Sequence, residues 1–221
     1  WPPDSSLTSR ASDTAELWRA RRSVPLFAAM ATGRAGHRAV TLPSGEVWIL
    51  GGHDATGRAL RSTELYDPTT RTFRAGPQLN APRDQAAIAL AHDEVVVAFG
   101  GGESSIEAWR YDLSSSRVIT TTASGGRRGD RALVHATGEL YVAGGRDDAG
   151  AYATPIRVGL SSGDVREAPG QAWAQGVRHV LGGALVAASL DGGAPEAYVV
   201  GGLFNDDPWE RLQRVRPDDT E

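Results

Sequence analysis

The chain has 221 residues, a formal net charge of −4, no Cys, and 23 basic residues that are all Arg. That length supports a full hydrophobic core, while the missing Cys excludes disulfide scaffolding, thiolate metal sites and Cys nucleophiles. A mildly acidic balance without a basic stripe argues against general nucleic-acid binding, and apolar runs of strand length broken by Gly leave no membrane-spanning segment.

Residues 1–13, rich in Pro, Ser and Asp, read as a loop. The chain opens on Trp1, which reads as a processed or trimmed polypeptide. Residues 14–28 hold two short strands, and Ala15-Glu-Leu-Trp18 through Arg34 aligns with Thr63-Glu-Leu-Tyr66 through Arg83 if one gap is allowed. Residues 34–79 then give four strands in succession. These are His37-Arg-Ala-Val-Thr-Leu42, Glu46-Val-Trp-Ile-Leu-Gly-Gly52, Glu64-Leu-Tyr-Asp-Pro-Thr-Thr70 and Thr72-Phe-Arg-Ala75, with a turn at Pro43-Ser44-Gly45.

The same order recurs in residues 81–125, with Gln85-Ala-Ala-Ile-Ala-Leu90, Glu94 to Gly101, Arg110-Tyr-Asp-Leu-Ser-Ser-Ser116 and Arg117-Val-Ile-Thr120. Residues 126–170 follow with Arg131-Ala-Leu-Val-His135, Glu139 to Gly145, Arg157 to Gly163 and Asp164-Val-Arg-Glu167. Residues 172–221 begin loosely at Arg178-His-Val-Leu181, pass through Glu196-Ala-Tyr-Val-Val-Gly-Gly202, and end on Trp209 to Pro217 in the third-strand position. The first glycine of each Gly pair falls at 51, 100, 144 and 201, a period that suits a four-stranded unit and not a helical repeat. The Gly-Gly strands are apolar on both alternating faces, as expected where a sheet is covered on each side.

A strand, a second strand ending Gly-Gly, a variable loop and then Tyr-Asp-Pro resembles the kelch repeat, most clearly from Gly36-His37 to Pro77. The resemblance implies an all-β fold, a β-propeller of kelch-type four-stranded blades, with about four blades in this chain. Residues 14–28 would be a partial blade, 34–79, 81–125 and 126–170 full blades, and 172–221 an incomplete one. Because both ends fall inside a blade, the chain reads either as a four-bladed ring or, the favoured expectation, as part of a larger propeller completed by a second chain or by further strands.

An Arg recurs just before the first strand of each unit, at Arg34, Arg83, Arg127 or Arg128, and Arg178. Of these, Arg34, Arg83, Arg128 and Arg178 are the candidate binding residues, because converging guanidinium forks suit a carboxylate or phosphate. The competing reading is that each Arg satisfies loop carbonyls of its own blade. The five His (37, 53, 92, 135 and 179) fall at no metal-ligand spacing, and the acidic loops Arg146-Asp-Asp148 and Asn205-Asp-Asp207 lack a calcium-loop pattern. Glu46, Glu94, Glu139 and Glu196 start equivalent strands, so repeat structure explains them better than catalysis does.

No metal, cofactor or catalytic residue is nominated. The resulting expectation is a non-catalytic binding module presenting propeller loops to a protein or glycan. Two alternatives stay open: a carbohydrate-active isomerase of the sialic-acid mutarotase kind, which the resemblance allows, and a structural subunit of a larger assembly. The Arg-only basic set reads as a high-GC bacterial genome, and the compartment stays open with a lean to secreted or cell-surface.

Overall fold

In the computed structural model the residues described are 10–19, 22–25, 28–91, 93–101, 103–121, 127–134, 138–147, 156–167, 180–181, 184–188, 196–200, 203–204, 207–208 and 212–215. Among them every regular element is a β-strand. The chain forms two compact units, Trp1–Asp84 and Gln85–Glu221.

The first unit opens with a hairpin of β1 (Glu16–Arg19) and β2 (Arg22–Pro25). It continues as a four-stranded antiparallel sheet in chain order: β3 (Arg38–Thr41), β4 (Val47–Leu50), β5 (Thr63–Asp67) and β6 (Thr72–Ala75). Burial falls where the sequence puts its branched and aromatic residues. Trp48, Leu50 and Leu65 are sealed, whereas β6 is mostly exposed at the sheet edge. The β3–β4 turn closes through Gly45, at φ 88°, whose N–H donates to the Leu42 carbonyl. The β5–β6 turn is built by Asp67, which accepts from the Thr69 N–H at 2.7 Å and the Thr70 hydroxyl at 2.9 Å.

In the second unit one sheet runs β7 (Ala87–Leu90), β8 (Glu94–Ala98), β9 (Ile106–Arg110) and β10 (Ser116–Ile119). Another runs β11 (Arg127–Val134), β12 (Glu139–Asp147), β13 (Ile156–Gly159) and β14 (Val165–Glu167). These two sheets share a core that includes Ala89, Val96, Ile106, Leu140, Val142 and Val158. Gly163 turns at φ 77° with Thr120 O at 2.5 Å from where a Cβ would stand, so the β13–β14 turn packs onto the end of β10 only as glycine. Two three-stranded sheets follow. One pairs β16 (Ala184–Ala188), β17 (Glu196–Val200) and β20 (Leu212–Val215); the other pairs β15 (Val180–Leu181), β18 (Leu203–Phe204) and β19 (Asp207–Pro208).

Strand register corrects three expectations. Trp109, not Tyr111, holds the position of Tyr66, because Trp109 pairs with Val95 as Tyr66 pairs with Val47. The third strand of that sheet therefore ends at Arg110, and Tyr111-Asp112 forms the turn, with Asp112 accepting from Ser114 N and Oγ. Phe99, not Gly100, is the counterpart of Gly51: each follows the last residue of its strand, and each N–H donates back to Ser105 O and Ser62 O respectively. In the last unit the strand that flanks the Gly-Gly strand is Ala184–Ala188, while Val180–Leu181 pairs with Leu203–Phe204.

The recurring glutamates acquire a physical role. Glu46 accepts from Arg74 at 2.8 Å and Glu94 from Arg117 at 2.8 Å, each bridging from the second strand to the fourth. In the next sheet Glu139 turns to Arg157 at 3.8 Å, one strand closer.

Candidate functional site

Arg34 is the first of the four nominated arginines, and its side chain is 0% exposed. Nη1 donates to Gly51 O at 2.8 Å and Ser62 O at 3.0 Å; Nη2 donates to Ser62 Oγ at 3.3 Å and Glu64 Oε1 at 2.9 Å. All four terminal N–H groups are thus engaged by the protein, and Nε is buried without an acceptor. The Glu64 carboxylate is shared in turn with the backbone N–H groups of Ala31 and Thr32, at 2.8 and 3.2 Å. This fork closes on strand ends and a carboxylate of its own unit, which leaves no terminal donor for an external anion.

Arg83 is equally buried, 1% exposed. Its backbone frames the Gly pair: its N–H donates to Leu60 O at 3.0 Å, and its carbonyl accepts from Gly52 N at 2.7 Å. A Cβ on Gly51 would lie 2.2 Å from that carbonyl, and one on Gly52 would lie 2.4 Å from Ala35 O. The Gly-Gly signature therefore marks where the second strand passes between two flanking chain segments. Arg34 and Arg83 meet this same Gly pair, one through its side chain and one through its main chain.

The third nomination shifts by one residue. Arg34 and Arg83 each stand four residues before the start of the first strand, opposite the end of the second. Arg131 opposite Ala143 fixes Arg127 as the counterpart, and Arg128 instead faces Arg146, as Ala35 faces His53. Arg178 lies outside the described residues; by the pairing of Ala184 with Val200, the matching position belongs to Val180. The acceptor changes too. Glu64 pairs with Ile49 and Glu107 with Val97, while Ile156 occupies that place opposite Val142.

Sequence reading gave no hint of the pair formed by His53 Nδ1 and Asp84 Oδ1, 2.9 Å apart with side chains 16% and 10% exposed. The partners are 31 residues apart, and only the fold joins them. His53 also roots a tight loop, through reciprocal backbone bonds with Ala35 and a bridge to Ala59. At its tip Asp54 accepts from Thr56 N, Thr56 Oγ1 and Arg58 N, and the Thr56 hydroxyl is the main cause holding its carboxyl below the ordinary range. Ala55, Thr56, Gly57 and Arg58 are exposed. His37 stands nearby in sequence, its pKa lowered by burial first and then by the charges of Arg34 and Arg38. Among the described residues no cluster of His, Asp and Glu is suited to a metal ion.

With that geometry in place, residues 34–80 match the Kelch motif. The chain carries a kelch repeat. Its overall fold is similar to the solved structure of YjhT, a kelch-type propeller, with a TM-score of 0.68 at 11% sequence identity over 91% of this chain and 71% of that one. No curated protein matches the sequence. The kelch repeat spans β3 to β6, so the Gly-Gly pair, the Arg34–Glu64 pair and the Asp67 turn all belong to it.

Proposed function

We propose that this kelch-type chain is a non-catalytic binding module whose loops between the second and third strands engage a protein or glycan partner. The observation that carries the reading is the contrast between a constant frame and changing loops. Equivalent N–H···O bonds, Gly51 to Ser62 and Phe99 to Ser105, bracket residues 52–61 in one sheet and only 100–104 in the other. Loop variation on a fixed scaffold is how repeat folds acquire partners. The charges most regular in the sequence are spent on the frame, which leaves recognition to loops such as 54–58. In this reading residues 34–79, 81–125 and 126–170 are complete blades and 172–221 an incomplete one.

The test is a binding isotherm against a partner identified by affinity capture or glycan array. Arg58→Glu, which keeps the backbone N–H that Asp54 accepts, should weaken binding about tenfold or more while leaving Tm nearly unchanged. Unaltered affinity in that variant and in an equivalent change at Glu103 and Ser104 rejects the loop reading. One observation favours a second reading, the isomerase of the mutarotase kind: the largely buried His53–Asp84 pair is a positioned imidazole–carboxylate unit at a loop root. An anomer-exchange assay on N-acetylneuraminate checks it, and a rate equal to buffer removes it.

A further inference from the structure

Arg61 stands at the end of the loop between the second and third strands of the kelch sheet, and two bonds fix it there. Leu79 N donates to its carbonyl at 2.9 Å, and its own Nε donates to the Leu79 carbonyl at 2.9 Å. The residue is exposed, and among the described residues its two Nη groups meet no acceptor. Arg34, Arg74 and Arg117 differ, because each is spent on a carboxylate of its own sheet: Glu64, Glu46 and Glu94. Arg61 is a guanidinium held by one edge, and the pair of groups that forks a carboxylate is left unengaged.

This Arg is no part of the repeated frame. The bonds Gly51 N to Ser62 O and Phe99 N to Ser105 O make Ser104 its counterpart in the β7–β10 sheet. Beside the β1–β2 hairpin, Met30 N donates to Asp13 O as Leu79 N donates to Arg61 O, so Asp13 is the counterpart there. A hydroxyl and a carboxylate fill the same place. The strand end needs no cation, and Arg61 is specific to this loop.

The charge of the loop agrees. Residues 52–62 hold two Arg and a single acid, Asp54. Asp54 is turned onto its own loop, where it accepts from Thr56 N at 2.9 Å, Thr56 Oγ1 at 2.6 Å and Arg58 N at 3.1 Å. Arg58, its side chain 80% exposed, has Nε 3.5 Å from the same carboxylate. The loop thus carries a local excess of positive charge on a molecule of net charge −4. That contrast selects the partner. The molecule as a whole repels a polyanion, whereas a short segment with one or two carboxylates meets the local charge with little of that repulsion.

Resting on the loop reading above, we propose that Arg61 recognises a carboxylate side chain in an acidic segment of a protein partner. Its end-on Nη fork matches the planar carboxylate, and the Leu79 bonds hold the fork in place before binding. Arg58 adds charge at the loop tip.

The experiment selects peptides from a random library displayed on phage, using the full chain as bait. Their affinities are then measured for Arg61→Met, Arg61→Lys and Arg71→Met, the last removing an exposed charge from the β5–β6 turn. The expected peptides are rich in Asp and Glu and bind wild type and Arg71→Met alike. Both Arg61 variants should bind them about tenfold or more weakly, because Lys keeps the charge without the fork. Amide exchange at Leu79 N, a main-chain bond to Arg61 O, shows whether the loop is intact, and Arg61→Lys decides the matter should Arg61→Met loosen it. Peptides without acidic enrichment, no selected peptide at all, or full affinity in the Arg61 variants overturns the proposal. Peptides weakened by Arg58→Glu but indifferent to Arg61 also overturn it, while leaving the loop reading in place. Arg61-dependent binding of N-acetylneuraminate with no acidic peptide selected gives the site to a glycan and overturns the protein segment.

Discussion

Arg34 illustrates how a plausible ligand residue becomes a structural one. A guanidinium in a loop before a strand invites an anion, but this one is sealed and meets Gly51, Ser62 and Glu64. Removing it strands the Glu64 carboxylate, 5% exposed, without its counter-charge. Arg34→Met should therefore cost about 3–5 kcal/mol in chemical denaturation, with Glu64→Gln, which keeps an acceptor oxygen, costing less. A stability loss under 1 kcal/mol would return Arg34 to the list of candidate ligand residues.

His37 supplies a pH signature. Burial, Arg34 and Arg38 lower its folded pKa below the ordinary 6.5, so the unfolded chain takes up its proton first as the solution is acidified. Its contribution to stability is full above that ordinary value and declines as pH falls through it towards the lowered folded value. Tm followed from pH 7.5 to 5 should drop in wild type, and His37→Asn should flatten that part of the profile. A parallel decline in both proteins would assign the effect elsewhere. The turn aspartates act at lower pH. Asp67 is held down first by the Thr69 N–H and Asp112 first by the Ser114 hydroxyl, so their turns loosen only as those carboxylates protonate.

At the scale of elements, alternation, turn chemistry and the Gly pair made most strands legible from residue order alone. Glycine reports a backbone need that few other residues meet, which is why Gly51 and Gly52 marked the strand end so clearly. The same reasoning failed at Phe99, which sits at φ 57° in the place of Gly51. Its side chain is wholly buried in the second unit's core, so apolar burial offsets a conformation that sequence patterns assign to Gly. Tyr111-Asp112 misled for a related reason: Asx-turn chemistry is local and can slide along a hairpin, whereas only cross-strand register shows that Trp109 replaces Tyr66. The candidate site was the least legible, because His53–Asp84 depends on chain segments meeting in three dimensions. Gly51→Ala tests the strand end. A Cβ 2.2 Å from Arg83 O at φ 63° should lower stability by about 2 kcal/mol or more in a denaturant titration, whereas Gly57→Ala, with open space at φ 82°, should cost clearly less.

At the scale of the molecule, charge and core make separate statements. A net charge of −4 and a sequence pI near 5.8 leave no electrostatic drive toward polyanions. The chain should pass a heparin column unretained at physiological salt, and retention would point to a basic surface outside the described residues. The core that joins the β7–β10 and β11–β14 sheets depends on side chains such as Leu140, 0% exposed. Leu140→Ala should destabilise by about 2–5 kcal/mol through lost burial and a residual cavity, read from the urea midpoint at constant slope.

The exchange of Glu64 for Ile156 at matching positions has a thermal consequence. An ion pair loses part of its desolvation penalty as temperature rises, whereas apolar contact weakens on cooling. The kelch sheet that holds Arg34 and Glu64 is thereby suited to heat, and the sheet that holds Ile156 is the more sensitive to cold. At this one buried place, two copies of a repeat thus lean toward opposite ends of the temperature scale.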